Sequence, residues 1–437
     1  MTLTEEQIAA LAPDSSSLKS GRDLASPAKW QYKAISDRAL WGHCQGSGKL
    51  PYQTQIDTQN IAFKCSCPSR KFPCKHGIAL LLLYTRQPDT FAKDVEPEGV
   101  TDWLNKRTEK VEKKAEQKDK PVDTEAQSKR VEARIKKVSG GVDELQFWIK
   151  DLLHTGLLTV PERATEFWQN PARRMIDAQA AGLAGMVKGL GAINYYDDSW
   201  KYNLTNQLTR IYTLTESFKN IDTLSDDYAT EVKTQIGFTQ PREELLAQVG
   251  IQDNWLVLSR TYTQEEQLTV ERNWLCGSKS GRFALILQFF ANAQIPELNM
   301  IPGTSIDAEL VFYKGIKNYR ALLKKQNKVE GLVPLSFENS LNVAYENFSR
   351  TISTNPFIER VPVIVNNMRI IKHERKLYLS DTNNNVIPIN CTDAVELKML
   401  AVSGGLPCKV FALINETEAQ PLGLWANDKF YTLENAV

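Results

Sequence analysis

Apolar side chains recur with different spacings in different stretches of the chain, and each spacing predicts a different kind of element. Between residues 24 and 64 they come in short bursts separated by turn signals, in "KWQYKAI", "RALWGHC" and "PYQTQIDTQNIAFKC", which predicts a small β unit. The run "IALLLLY", Ile78 to Tyr84, follows at once; it predicts a helix that starts near Pro73 or Cys74 and stops around Gln87 and Pro88. After the Gly140-Gly141 pair the pattern becomes helical. Val142, Leu145, Ile149, Leu152 and Leu153 fall on one stripe, with Phe147 and Trp148 widening it. Further helices are expected over 161–189, 199–219, 223–236 and 241–248. From Trp255 the period shifts towards two, in "WLVLSRTYT", "QLTVERNWLCG", "RFALILQFF", "SIDAELVFYK", "RVPVIVNN", "MRIIKHERKLYLSD", "NVIPINC" and "CKVFALINE". "GSKSG" and "DTNNN" supply turns between antiparallel strands, and one helix is expected near 336–351.

Between the first two regions the composition changes. Residues 106–140 hold twelve Lys or Arg against seven Asp or Glu, a local net charge of +5, and hardly an apolar side chain. Such a stretch cannot supply a core, so it reads as a solvated linker, helical at its ends and broken by Pro121. A spacer and a nucleic-acid-binding arm are both consistent with it. The expected division is therefore an N-terminal region over 1–105 with its core about 50–88, a charged linker over 106–140, a helical domain over 141–250, and a β-rich α+β domain over 251–437.

Overall charge narrows the function classes. The 437 residues carry a formal charge of +1, which gives no global pull towards nucleic acid or anionic lipid, so any basic surface is local. The longest apolar run, Ile78 to Leu83, is far too short to span a membrane. The first residues, "MTLTEEQIAALAPD", lack a basic start followed by an apolar stretch, which points to a cytoplasmic protein. In a reducing compartment, clustered cysteines are more readily explained by metal binding or redox chemistry than by disulfides.

One cluster stands out. Cys65, Cys67, Cys74 and His76 form C-x-C-x6-C-x-H. Thiolate and imidazole are the donors that Zn²⁺ takes at tetrahedral corners. On an extended segment Cys65 and Cys67 project to one face, and six intervening residues with Pro68 and Pro73 can turn the chain so that Cys74 and His76 close the site. A helix N-terminus at Cys74 favours its thiolate. Three thiolates and one neutral imidazole leave −1 around the ion, which Lys64, Arg70, Lys71 and Lys75 can offset. Four protein donors leave no position for water, so the site is expected to be structural, with zinc contributing directly to folding. Buried thiols by chance, or a redox centre without metal, are the competing readings.

These residues resemble a known family. "CSCPSRKFPCKH", together with the upstream "LWGHCQGSGKLPY", resembles the bacterial SWIM zinc finger family proteins, as do "VDELQFWIKDLLHTGL" and "ARRMIDAQAAGLAG" downstream; the resemblance covers roughly residues 20–190. It implies a zinc-stabilised ββα module with Cys65, Cys67, Cys74 and His76 as zinc ligands. It also implies association with DNA binding or protein interaction, and the company of MoxR-type AAA ATPases and von Willebrand A domain proteins.

Other candidates carry less. "HCQGSGK" lacks the first glycine and the final hydroxyl of a phosphate loop, so its glycines read as a turn between strands. His43 and Cys44 are adjacent donors without further partners, and Cys276, Cys391 and Cys408 read as core thiols. His154 and His373 have no nucleophile or carboxylate arranged with them, and nothing nominates an active site. The expected function is a non-enzymatic interaction module or adaptor. The alternative is a DNA- or RNA-binding protein whose Lys64, Arg70, Lys71 and Lys75 meet phosphates while Phe63 and Phe72 meet bases.

Overall fold

A computed structural model describes residues 3–9, 11–46, 50–59, 61–69, 71–116, 124–163, 165–265, 268–291, 300–330, 335 and 340–433. The N-terminal unit opens with α1 (Glu5–Ala9) and α2 (Ser15–Leu24). Strands β1 (Trp30–Ile35), β2 (Ala39–Cys44), β3 (Tyr52–Asp57) and β4 (Ala62–Cys65) follow, then α3 (Lys75–Arg86) and β5 (Ala92–Lys93). The sheet order is β4-β3-β2-β1-β5, antiparallel except for the β1–β5 pair. Ile78 through Leu83 are all buried. A helix apolar on every side needs cover on every side, and here the sheet residues Leu40, Ile56 and Phe63 and the helix residue Ile8 share one core with it. The two N-terminal helices were not legible in the sequence: α1 spans only five residues, and α2, "SSSLKSGRDL", is polar and depends on the Asp14 carboxylate, which accepts the Ser17 N–H at 2.7 Å.

The charged stretch contributes to two helices, α4 (Glu98–Glu116) and α5 (Thr124–Thr155), while Pro121 lies outside the described residues. Val100 and Leu104 of α4 pack on Ala34, Ala39 and Trp41 of the N-terminal sheet. Helix α5 runs unbroken through Gly140 and Gly141, so the helix starts well before the pair after which the sequence pattern predicts it. The reason is packing: a Cβ on Gly141 would lie 2.5 Å from the Cβ of Ala178, in the turn just after the helix Thr165–Asp177, so this glycine permits a close approach of that helix end. Val138, Val142, Leu145, Ile149 and Leu152 form the buried stripe. Leu153 and Phe147 do not join it. Phe147 lies almost opposite Leu145 and Ile149 around the helix and is 73% exposed.

The bundle is completed by α6 (Thr165–Asp177), α7 (Ala181–Leu190), α8 (Trp200–Lys219) and α9 (Asp226–Ile236), with the short α10 (Arg242–Leu246) after it. The single helix expected over 161–189 is divided at Gln179, whose φ is +61°.

The C-terminal part consists of two antiparallel sheets. The first, in the order β10-β9-β6-β7-β8, is built from β6 (Ile251–Glu265), β7 (Leu268–Gly277), β8 (Phe283–Ala291), β9 (Ser305–Phe312) and β10 (Ala321–Glu330). After α11 (Leu341–Thr354) come β11 (Val361–His373), β12 (Lys376–Ser380), β13 (Val386–Pro388), α12 (Asp393–Ser403), β14 (Cys408–Ile414), β15 (Ala419–Ala426) and β16 (Lys429–Thr432). Their sheet order is β13-β12-β11-β14-β15-β16. Leu256, Leu258 and Trp274 of one sheet meet Ile364, Phe411 and Leu422 of the other, while α11 and α12 share a core with β11 and β14. The architecture is thus α+β.

Candidate metal centre

Pairing of β3 with β4 sets Cys65, the last residue of β4, opposite Thr54. Two residues on lies Cys67. The chain then returns past Pro68 and Pro73 to Cys74, the N-cap residue of α3 with φ −74° and ψ 165°, and His76 falls in the first turn. The ligand atoms of Cys65, Cys67, Cys74 and His76 all lie within 4.8 Å of one another. His76 Nδ1 is 3.8 Å from Cys65 Sγ and 3.9 Å from Cys74 Sγ. Around a tetrahedral Zn²⁺ with bonds of about 2.3 Å to sulfur and about 2.0 Å to nitrogen, donor separations are about 3.5–3.8 Å. The donor set fits the ion in number, type and spacing.

Cys74 and His76 are buried; Cys65 and Cys67 are half-buried. Thr54 Oγ1 sits 3.3 Å from Cys65 Sγ, and the Tyr52 ring lies against the imidazole with centroids 4.9 Å apart. Both neighbours are supplied by β3. Sequence reasoning missed them, although the alternation of β3 and its register with β4 place Thr54 beside the cluster. Lys64, Lys71 and Lys75 are exposed around the site, and Arg70 lies outside the described residues. The Lys71 ammonium is 2.7 Å from the Asp14 carboxylate, so part of its charge is already matched.

Without metal, the three thiols share their protons unequally. A hydrogen bond from the Cys74 S–H, helped by His76 and Thr54, holds the Cys65 thiol well below the usual range. Cys74 is pushed up, first because its own S–H is held by Cys65, then by burial and the adjacent negative charge. Burial pushes Cys67 up as well. Zinc binds thiolates, so loading the site at neutral pH is expected to release about two protons, chiefly from Cys67 and Cys74. Acid competes with the metal: affinity should fall about 100-fold per pH unit as pH drops through the neutral range. Titration calorimetry in buffers of differing ionisation enthalpy measures the release directly, and an enthalpy independent of buffer would contradict this proton assignment.

Elsewhere the donors are scattered. Among the described residues, this is the one group of three or more His, Cys, Asp or Glu placed to hold a metal ion. Cys44 is buried, and His43 faces the Tyr32 ring at 5.9 Å. Cys276 and Cys408 are buried and Cys391 half-buried. No helix among the described residues is long and apolar enough to cross a membrane.

The β3-β4-α3 unit and its closed donor set define a structural zinc finger followed by a helical bundle. Residues 52–84 match the family model of the SWIM zinc finger, and residues 133–236 match that of the SWIM-associated four-helix bundle domain. The chain therefore carries a SWIM zinc finger and a SWIM-associated four-helix bundle domain, and Zn²⁺ is the cofactor of this site. Neither the curated proteins nor the solved structures give a match.

Proposed function

We propose that this chain is a non-enzymatic cytoplasmic interaction module, in which zinc held by Cys65, Cys67, Cys74 and His76 fixes a surface that docks a protein partner. A MoxR-type AAA ATPase or a von Willebrand A domain protein is the partner class, drawn from the family resemblance. The observation that favours protein over nucleic acid is the fate of the aromatic rings beside the finger. Phe63 is buried, in edge contact with Phe72 at 6.1 Å, and a Cβ on Gly77 would lie 2.7 Å from the Phe63 ring. That ring belongs to the core and has no face open to a base. Lys71 is already paired with Asp14. A donor set with four protein ligands also leaves no coordination position at which a metal could activate water or substrate.

The DNA- or RNA-binding alternative rests on exposed Lys64 and Lys75. A complex held by phosphate contacts weakens steeply with salt, log K falling by about 0.9 per phosphate neutralised on duplex DNA. The expected result is no retardation of duplex or single strands by zinc-loaded protein at low salt, together with binding to a purified MoxR-type ATPase that survives high salt. Retardation with that salt slope, and no ATPase binding, would replace the interaction reading with the nucleic-acid one.

A further inference from the structure

We propose that Cys67 is the peroxide-reactive thiolate of the cluster, and that its oxidation closes a disulfide to Cys74 and expels the zinc. This rests on the zinc centre described above. Coordination keeps all three sulfurs as thiolates, the form that reacts with oxidants. Access then selects among them. Cys74 is buried, at 4% exposure, and so is His76. Cys65 is half-buried beneath the Thr54 hydroxyl. Cys67 is the least buried of the three sulfurs and sits in an exposed stretch with Ser66, Pro68 and Ser69, so an oxidant approaches it from solvent.

The resolving sulfur is already close, since all four donor atoms lie within 4.8 Å of one another. Cys65 ends β4 and Cys67 follows after one residue, so a bridge between them would have to close a very short ring with little freedom to reach disulfide geometry. Cys74 approaches from the far side of the loop and is under no such constraint.

The chemistry balances with hydrogen peroxide as oxidant. The Cys67 thiolate attacks one peroxide oxygen, the O–O bond breaks, and hydroxide leaves a sulfenic acid on Cys67. The Cys74 thiolate then attacks the Cys67 sulfur, the S–O bond breaks, and a second hydroxide leaves. Two sulfurs each lose one electron, peroxide gains two, and solvent protons convert the hydroxides to water. Zinc retains only Cys65 and His76, too few to hold it, and the tie between β4 and the start of α3 is lost.

Trypsin makes the outcome readable. Cleavage after Lys64, Arg70, Lys71 and Lys75 puts Cys65 and Cys67 in CSCPSR and Cys74 in FPCK. Full-length protein is first shown to hold zinc; a preparation without zinc would count against the metal centre itself. It is then treated with peroxide while released zinc is followed with a chromogenic chelator. Expected are release of about one zinc with loss of about two thiols per chain, a cross-link between CSCPSR and FPCK that fragments at Cys67, and reversal by thiol reductant plus zinc. Cys67→His keeps four donors and should slow release by on the order of tenfold. Should that variant fail to load, the wild-type peptide map still decides. A disulfide within CSCPSR, zinc retained while thiols elsewhere oxidise, or release from Cys67→His at the wild-type rate would overturn the proposal.

Discussion

Cys74→Ser is expected to release the zinc ion and to destabilise the N-terminal unit by roughly 4 kcal/mol, equivalent to about a thousandfold in an equilibrium constant. Cys74 is buried at the N-cap of α3, so it ties the helix to the strand that carries Cys65. A serine hydroxyl does not replace a thiolate on zinc at neutral pH, and three remaining donors leave the site open to water. The unit has more core of its own than a zinc-finger peptide, because α1 and α2 cover α3. Loss of metal should therefore loosen the β3-β4-α3 region rather than erase the whole unit. Hydrogen exchange should accelerate in β3, β4 and the first turns of α3, and remain unchanged in β6, β7, β11 and β14. Cys44→Ser, at a buried thiol outside the donor set, should keep stoichiometric zinc. Full zinc occupancy in Cys74→Ser would contradict the ligand assignment.

The second large effect lies in the bundle. Gly182→Ala should destabilise it by about 3 kcal/mol, although alanine is the better helix former by about 1 kcal/mol. A Cβ at residue 182 would lie 1.9 Å from the carbonyl oxygen of Gln235 and 2.8 Å from the carbonyl carbon of Ile236. Those are backbone atoms at the end of α9, so no side chain can swing aside. The same corner is locked by Arg134, which donates to the carbonyls of Gln179 at 3.2 Å and Gly237 at 2.9 Å and lies 4.3 Å over the Phe238 ring. Gly237 itself has φ +119° and closes α9 in the left-handed region. Gly185→Ala supplies the contrast: nothing lies within 4 Å of its added Cβ, so propensity alone acts and stability should be unchanged or slightly raised. Thermal unfolding of the two variants checks both, and equal melting temperatures would contradict the close packing of α7 on α9.

The donor set was legible because zinc demands particular atoms at short sequence spacing, and "CSCPSRKFPCKH" carries all four within twelve positions. The strand expectations in "KWQYKAI" and "RALWGHC" correspond to β1 and β2, and "PYQTQIDTQNIAFKC" holds two strands, β3 and β4, with a turn between them. What failed was what depends on partners distant in sequence. Gly140 and Gly141 looked like a boundary because glycine is a poor helix former, yet Gly141 faces Ala178 in the turn just after α6. Phe63 looked available to a base, yet β4 turns it inward against Gly77 and Phe72. Strand β10, "ALLKKQNKVE", is too polar to announce itself, and β15, "AQPLGLWA", carries Pro421 and Gly423, both discouraging for a strand. Helix α12 was missed because its apolar residues do not keep to one side: Val395 and Met399 are buried while Leu397 is 68% exposed.

The most direct test of the account is the metal content and coordination of the full-length protein, isolated without chelator. Elemental analysis combined with X-ray absorption at the zinc edge should give one zinc per chain in a shell of three sulfurs and one nitrogen, with no oxygen from water. Protein that is folded and metal-free, or a zinc shell with fewer than three sulfurs and a bound water, would contradict a closed structural centre built from Cys65, Cys67, Cys74 and His76.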